Sequence, residues 1–334
     1  MKKNVLLLLL SSFILVPAIT ADSDGQNKKK GVIAIGEALY WRTNFFIPYA
    51  ITFETTTQGA VTLSTNQKFT NVTPSYDPGF RIGLGYFSPS SHWEIDANAI
   101  RFAQKKSDST LANDSTRIGL LWDFSSQITL PTAVSANFSD SFIGFAVSAK
   151  RPFYTDKNIS FGYTFGLVGV VLKEQLEIIA DGQNIDSIPV HTVTTLKNAF
   201  NGLGPVNAVN TLWKFSRNAG FYGLGEFSVL IGKIPVEQTQ FTTIGGAQPA
   251  LFQITQNNRV FLRANLFAQI GIQYEQTFCD VVSVVFKLGY DFNFWPSQIA
   301  FARFAEVVAG QATPRINASD IGFHGFHFGG YLTF

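Results

Sequence analysis

Charged residues are scarce in this sequence, and long hydrophobic runs are missing after its first segment. Asp, Glu, Lys and Arg make up 14% of the 334 residues and hydrophobic residues 46%, whereas soluble domains average about 25% charged residues. No stretch after Ala21 approaches the ~20 consecutive apolar residues that a membrane helix needs. A chain this apolar without such stretches favours a closed β-barrel, because a barrel also satisfies its backbone hydrogen bonds in lipid.

Cysteine and histidine are also rare, with one Cys and four His. His324 and His327 are three residues apart, so on a strand they face opposite sides and cannot share a metal or catalytic site. The sequence has no Cys-x-x-Cys, phosphate-binding Gly loop or His-Glu-x-x-His. We therefore expect no enzyme, no cofactor and no metal.

The first residues predict export. Lys2 and Lys3 precede an apolar run over residues 5–16, followed by Pro17 and small residues up to Ala21, which is the pattern of a secretory signal peptide. We predict a signal peptide over residues 1–21, with cleavage after residue 18 as the alternative, a periplasmic arm over 22–30 and one barrel domain over 31–334. Without Lys2 and Lys3 the 23 remaining basic residues balance the 23 acidic ones, so no nucleic-acid partner is expected.

Alternating polarity predicts the strands. Residues 79–87 place Phe80, Ile82, Leu84 and Tyr86 on one face and Arg81 on the other, and the return strand from residue 92 continues the alternation. Residues 259–275 and 281–295 alternate over lengths beyond the ~5–6 residues of ordinary strands and reach the ~9–11 of a tilted membrane strand. The last strand, 322–334, has one wholly apolar face and ends on Phe334.

These features predict an all-β fold: a transmembrane, antiparallel, up-and-down β-barrel with short periplasmic turns and long extracellular loops. A soluble β-sandwich is the less favoured alternative. Ten strands are secure, and residues 104–140 contribute none or two because single-chain bacterial barrels have even numbers. We expect ten to fourteen strands and favour twelve.

The polar faces of these strands predict a hydrated interior. Side chains that need water on an otherwise apolar hairpin are expected to point into a lumen. For each one, the alternative that it only solvates the inner wall stays open. The predicted pore-lining residues are Arg81, Glu94, Asp96, Asn98, Lys150, Arg259, Arg263, Asn265, Gln269, Gln273, Lys287, Asp291 and Asn293.

Several segments lack the alternation, and their structure is predicted from polarity or from other sequence signals. Residues 43–77, which could carry strand extensions, 104–115 and 181–197 are polar and predict loops. Residues 117–124 predict a strand with Ile118, Leu120 and Trp122 facing outward. All five tryptophans lie near proposed strand ends, where an aromatic girdle is expected. In the loop 296–320, apolar residues at helical spacing after Ser297 predict a short helix, which either narrows the extracellular mouth or lies outside on its rim.

Several stretches carry a resemblance to a known family: Glu-Ala-Leu-Tyr-Trp-Arg at 37–42, Asp-Pro-Gly-Phe-Arg-Ile-Gly-Leu-Gly-Tyr at 77–86, His-Trp-Glu-Ile-Asp at 92–96 and Gly-Leu-Gly-Pro at 202–205. With the closing Phe-terminated hairpin, they resemble the major outer membrane protein porins of intracellular bacteria, of the Legionella and chlamydia-like kind. The resemblance implies a water-filled pore, an abundant surface protein and homotrimers. Such porins often carry several crosslinking cysteines, and this chain departs from them with only Cys279.

The function expected is therefore a porin of the bacterial outer membrane for passive diffusion of small hydrophilic solutes. A structural surface protein or adhesin with a narrow lumen, and a transporter of hydrophobic substrates, are the alternatives. Expected partners are outer-membrane lipid, the solutes, and the barrel assembly machinery through the last strand. Cys279 falls in a predicted periplasmic turn, where it is either a spectator thiol or forms an intermolecular disulfide.

Overall fold

The computed structural model describes residues 31–45, 47–58, 61–88, 90–113, 116–122, 128–256, 260–278, 282–308 and 311–334. The predicted signal peptide, Arg259 and Cys279 lie outside these residues. The described part is built from strands, and none of its residues form a helix long and apolar enough to cross a membrane.

Fifteen strands follow one another in the described residues, and several extend far beyond their predicted ends. Their bounds are β1 Gly31–Asn44, β2 Pro48–Gln58, β3 Val61–Asn71, β4 Asp77–Ser88, β5 Trp93–Leu111, β6 Thr116–Leu120, β7 Leu130–Thr155, β8 Ile159–Gln183, β9 Pro189–Lys214, β10 Ala219–Lys233, β11 Val236–Ile244, β12 Ala250–Gln256, β13 Val260–Phe278, β14 Val282–Val308 and β15 Gln311–Thr333.

One antiparallel sheet of twelve strands forms the body of the molecule and closes on itself. Its first strand, β1, pairs with both β4 and the last strand, β15. The ring runs β1, β4, β5, β7, β8, β9, β10, β13, β14 and β15. The antiparallel barrel predicted from the sequence is confirmed: ten strands close the ring, and β11 and β12 bring the sheet to the favoured twelve.

The two additional strands lengthen the wall of the barrel. Strand β9 pairs with β10 over its second half, from Asn201 to Lys214, and with β11 over its first half, from Val190 to Asn198. Strand β11 then pairs with β12. After β10 ends, the chain thus continues along β9 as β11. The break between the two strands falls at Ile234 and Pro235, because proline lacks the N–H that an unbroken ladder would use.

The two ends of the barrel differ. Consecutive ring strands are joined at one end by only three or four residues, at 89–92, 156–158, 215–218 and 279–281. We call this the turn end. At the other end, the loop end, the connections from β1 to β4, β5 to β7 and β10 to β13 are long, whereas β8–β9 and β14–β15 are joined by only five and two residues, at 184–188 and 309–310. The predicted contrast between short turns and long loops is therefore present for three of the five connections.

A second sheet of three strands, in the order β3, β2, β6, sits at the loop end. Its strands come from two separate loops, since β2 and β3 follow β1 and β6 follows β5. The predicted strand at 117–124 exists as β6, but its orientation was wrong: Ile118 and Trp122 are buried. Predictions of loops at 104–115 and 181–197 were largely wrong, because β5, β8 and β9 extend through most of these residues.

The outer face of the ring is apolar over the half nearer the turn end. Phe326, Phe328, Leu332 and Phe334 on the last strand are 43–60% exposed, and the same pattern repeats on the other ring strands. Such a band of outward apolar side chains is what lipid requires. We call it the apolar band.

The helix predicted between residues 296 and 320 was wrong. Strand β14 continues to Val308 and pairs with β15 from Ile299↔Ser319 to Val308↔Gln311, with irregularities after Trp295 and Phe304. At the first irregularity Ser297 has φ 53°, and its backbone N–H donates to Asp320 Oδ1 at 2.7 Å. Pairing with a neighbouring strand satisfies the backbone N–H and C=O groups of this segment, and this outweighs the weak helical spacing of its apolar residues.

Candidate functional site

A cavity of about 420 Å³ occupies the lumen at the turn end. The alternation of β4, β5, β7, β13 and β14 points their polar side chains into it. Ten of the thirteen residues predicted to line a pore lie on its wall: Arg81, Glu94, Asp96, Asn98, Lys150, Asn265, Gln269, Gln273, Lys287 and Asn293. Asp291 lies behind this wall, fully buried, and Arg263 faces inward nearer the loop end, where its guanidinium packs over Phe261.

Asp291 is the centre of a charged cluster. One carboxylate oxygen accepts a hydrogen bond from Gln269 Nε2 at 2.9 Å and lies 2.7 Å from His327 Nδ1. The other accepts from Trp41 Nε1 at 3.2 Å and lies 3.6 Å from the Arg81 guanidinium. A buried carboxylate needs partners, and these four groups provide them for Asp291.

The cluster extends further through its partners. Arg81 also pairs with Glu37, and His327 Nε2 bonds the hydroxyl of Tyr222. The contributing side chains come from β1, β4, β10, β13, β14 and β15, which are consecutive strands of the ring. The cluster therefore ties the strands together across the β1–β15 closure.

The remaining charges are closer to the turn end. Lys150 Nζ lies 3.9 Å from Glu94, and Asp96 accepts hydrogen bonds from Ser148 and Asn98. Lys287 lies over the rings of Tyr222 and Tyr331, with 5.0 Å and 5.3 Å to the centroids. The cavity thus presents both signs of charge to whatever enters it.

Aromatic side chains close the lumen on the loop side of this cavity. The set consists of Trp41, Phe102, Phe142, Phe200, Trp295 and Phe323, and we call it the aromatic layer. Each comes from a different ring strand and is at most 3% exposed. Neighbouring rings lie 5.3–6.4 Å apart, as in the pairs Phe142–Phe323 and Trp41–Phe142. Edge-to-face and tilted contacts of this kind pack tightly.

The predicted aromatic girdle was therefore wrong for three of the five tryptophans. Trp41, Trp122 and Trp295 are buried inside the molecule, whereas Trp213 is 56% exposed on the outer face. Strand β14 continues 13 residues past Trp295, whereas β1 ends at Asn44, close to Trp41. Both rings point inward and fill the interior.

A ring of buried polar side chains lies beyond the aromatic layer. Its members are Thr43, Gln104, Asp140, Glu174 and Asn198, and we call it the upper polar ring. They follow one another across adjacent strands, with Gln104↔Asp140, Asp140↔Glu174 and Glu174↔Asn198 in register. Thr43 donates to Asp140, and Asn198 Nδ2 donates to Glu174 Oε2 at 2.6 Å.

The two carboxyls of the upper polar ring lie outside the apolar band, because the outward side chains at their level are charged and exposed: Lys173 follows Leu172 and precedes Glu174, and Lys105 lies opposite Ser139, which precedes Asp140. Burial raises the pKa of Asp140 to about 7, with a smaller rise from Asp77 and an opposing hydrogen bond from Thr43. Burial likewise raises the pKa of Glu174 to about 8, with the Asn198 hydrogen bond opposing the rise. Desolvation disfavours the charged form of each.

The second sheet fills the loop end of the barrel. Tyr49, Ile118 and Trp122 belong to the same buried cluster as Leu176 and Leu196 of the wall. Trp122 Nε1 donates to the carbonyl of Pro48 at 2.8 Å, which fixes β6 against the start of β2. The lumen is thus polar at the turn end and packed from the aromatic layer to the loop end.

Sequence reasoning missed several inward polar residues: Glu37, Tyr222, Glu226, His327 and Tyr331. All five belong to the cavity wall or to the Asp291 cluster. A signal was present for His327 and Tyr331, because they share the face opposite the apolar one on the last strand. The upper polar ring lies mostly in segments without alternation, and no sequence signal pointed to it.

Solved structures that resemble the chain are outer-membrane proteins at very low identity. The outer membrane protease OmpT of Escherichia coli has TM-score 0.42 and 7% identity, with 91% of this chain and 96% of that chain covered. The Pseudomonas putida toluene transporter TodX has TM-score 0.32 and 8% identity, with 92% and 90% covered. A FadL homologue of Pseudomonas aeruginosa has TM-score 0.31 and 7% identity, with 92% and 90% covered. Nothing about activity follows from likenesses this distant.

The family comparison is more direct. No curated protein sequence matches the chain. The model of the family described as Legionella pneumophila major outer membrane protein precursor matches residues 28–334. The resemblance stated from the sequence is confirmed. The family match places the protein in the bacterial outer membrane, and the apolar band is the part of the barrel that faces lipid. The chain belongs to the Legionella major outer membrane protein family.

Proposed function

We propose that the protein is a narrow outer-membrane channel for small hydrophilic solutes, in which the aromatic layer limits passage. The observation that supports this is the cavity of about 420 Å³ at the turn end, whose wall carries charged and amide side chains. A hydrated lumen with fixed charges is what passive diffusion of polar solutes needs. We also propose that the role is not catalytic.

The charges of the cavity predict its selectivity. Arg81, Lys150 and Lys287 line the cavity together with Glu37, Glu94, Asp96 and Glu226. Arg81 and Lys150 each lie opposite a carboxylate of the adjacent strand, Glu37 and Glu94 respectively. Because both signs are present at short range, a passing ion meets a field that largely cancels. We therefore propose weak selectivity between anions and cations.

A structural surface barrel is the second candidate function, and the packing of the loop end favours it. The aromatic layer and the second sheet leave the described lumen filled over the half beyond the cavity. The third alternative, transport of hydrophobic substrates, has less support, because an apolar ligand would take water away from the charged side chains of this cavity without replacing its hydrogen bonds.

Conductance of the purified protein in planar bilayers separates these candidates. We expect the wild type to give small steps. The double variant Phe142→Ala/Phe323→Ala removes two touching rings from the aromatic layer, and we expect severalfold larger steps. The matched control is Phe145→Ala/Phe326→Ala, which removes the same groups from the outer face of the same two strands, where both rings are exposed.

The outcomes are distinct. Larger steps in the first variant and unchanged steps in the control support a channel limited by the aromatic layer. Silence of both the wild type and the first variant supports the structural barrel. Large ohmic steps of the wild type, unchanged by either variant, support a pore and contradict the limiting role of the layer. Heat-modifiable gel mobility verifies that each variant is folded.

A further inference from the structure

The outer wall of the barrel carries a basic groove just beyond the apolar band. Its cavity has a volume of about 680 Å³ and lies over β5, β7, β8 and β9. The side chains that project outward into it are Lys105, Ser139, Ser141, Lys173, Gln175 and Lys197. We call this surface the lysine groove.

The register of the strands builds the groove. Lys105, Ser139, Gln175 and Lys197 follow one another across the four strands, each opposite the next. Strands are about 4.8 Å apart, so the outer two lysines of this row are separated by about 14 Å at their backbones. Lys173 lies between them, opposite Ser141. The small serines of β7 leave a slot between lysines on both sides.

The charges of the groove are mostly uncompensated. Lys197 Nζ lies 3.4 Å from Glu237, which also lines the groove. Lys105 and Lys173 are exposed, and neither forms an ion pair with any residue in the described ranges. Three ammonium groups with one carboxylate leave a net positive site, and the serine hydroxyls add neutral donors.

The height of the groove relative to the membrane identifies its ligand. On β7 the outward residue next to Ser141 is Ile143, which belongs to the apolar band, and on β8 Val171 precedes Lys173 in the same way. A lipid whose acyl chains lie against this band therefore has its headgroup at the groove. On the other side of the barrel, where the band ends on β1, the outward residues are aromatic, as in the stacked pair Tyr40 and Tyr76.

We propose that the lysine groove binds the phosphate of an anionic lipid in the outer leaflet of the membrane. The lysine ammonium groups and the serine hydroxyls donate hydrogen bonds to the phosphate oxygens. The lysine stems lie along the wall between the headgroup and the apolar band. The channel proposal is not needed for this binding, since only the outer wall takes part.

Titration of detergent-solubilised protein with phosphatidic acid, followed by native mass spectrometry, tests the proposal. Each lysine near a lipid surface contributes about 1 kcal/mol, so Lys105→Ala/Lys173→Ala/Lys197→Ala should weaken binding about 100-fold. The single variant Lys173→Gln keeps most of the stem and should weaken it about fivefold. It serves as the readout if the triple variant does not fold.

The control is Lys68→Ala/Arg117→Ala/Arg217→Ala, which removes three exposed positive charges elsewhere on the surface and should bind like the wild type. Equal weakening in this control means non-specific charge attraction and overturns the proposal. Inorganic phosphate and phosphatidylcholine are the other two probes. If inorganic phosphate binds as tightly as phosphatidic acid, the groove is a site for free anions and not for a lipid. Equal binding of phosphatidylcholine also overturns the proposal.

Discussion

The two buried carboxyls of the upper polar ring predict an unusual dependence of stability on pH. Asp140 and Glu174 have pKa values of about 7 and about 8 in the folded protein, whereas free Asp and Glu have values of about 3.9 and 4.3. Between these limits the folded state holds protons that the unfolded chain releases. The free energy of unfolding therefore falls as the pH rises, from about pH 4 until each folded-state pKa is passed.

The size of the effect follows from the shifts. Each proton changes the free energy of unfolding by about 1.4 kcal/mol per pH unit. Between about pH 5.5 and 8.5, Asp140 contributes until about 7 and Glu174 until about 8, which together amount to a loss of about 5 kcal/mol. Asp140→Asn/Glu174→Gln should remove this part, because the amide oxygens still accept from Thr43 and Asn198 and carry no charge at any pH.

Urea unfolding in vesicles of a zwitterionic lipid, followed by tryptophan fluorescence at several pH values, measures this difference. The wild type should lose stability with rising pH more steeply than the double variant, and other titrating groups cancel in the comparison. The control Asp186→Asn, in the exposed turn between β8 and β9, should keep the wild-type slope. Identical slopes for the wild type and the double variant would refute the argument.

Two further predictions concern the wall of the barrel. A Cβ on Gly204 would overlap the carbonyl oxygen of Val229 on the adjacent strand, so Gly204→Ala should reduce the folded fraction measured by heat-modifiable mobility. Gly36→Ala meets nothing within 4 Å and should fold normally. Asp291→Ala leaves the Arg81 guanidinium with one fewer buried partner and should lower the free energy of unfolding in urea by about 3–5 kcal/mol. A loss below about 1 kcal/mol would contradict the role of the cluster in holding the ring strands together.

The sequence predicted the membrane-crossing half of the fold because lipid imposes a simple rule there. Outward residues must be apolar and inward ones can be polar, so the alternation around Arg81 and Glu94 reveals both the strand and its orientation. The family resemblance and the terminal Phe334 added the closure of the ring. These predictions depended on one condition, which is that outward side chains in contact with lipid must be apolar.

Beyond the membrane that condition disappears. The outward positions of residues 104–111 of β5 face water, and the inward positions are polar as well, so the period of two vanishes. These inward residues are Gln104, Lys106, Asp108 and Thr110. The segment was predicted as a loop for this reason, although its backbone hydrogen bonds continue into β7. The same effect hid the end of β8 and the start of β9.

The packed interior could not be predicted, because it depends on contacts between distant segments. Trp122 meets Pro48 and Thr194, and Phe142 meets Phe323. In the sequence each of these residues is equally consistent with an outer girdle or with an inner core, since an aromatic ring is favourable in both places.

The origin of the second sheet constrains the order in which the chain assembles. Strand β2 pairs with β6, so every strand of this sheet lies within the first 120 residues and can pair before β15 meets β1. The apolar side of this sheet is covered by β7, β8 and β9, which follow directly in the chain. The second sheet can therefore form before the ring closes, and the pairing of β1 with β15 then encloses it.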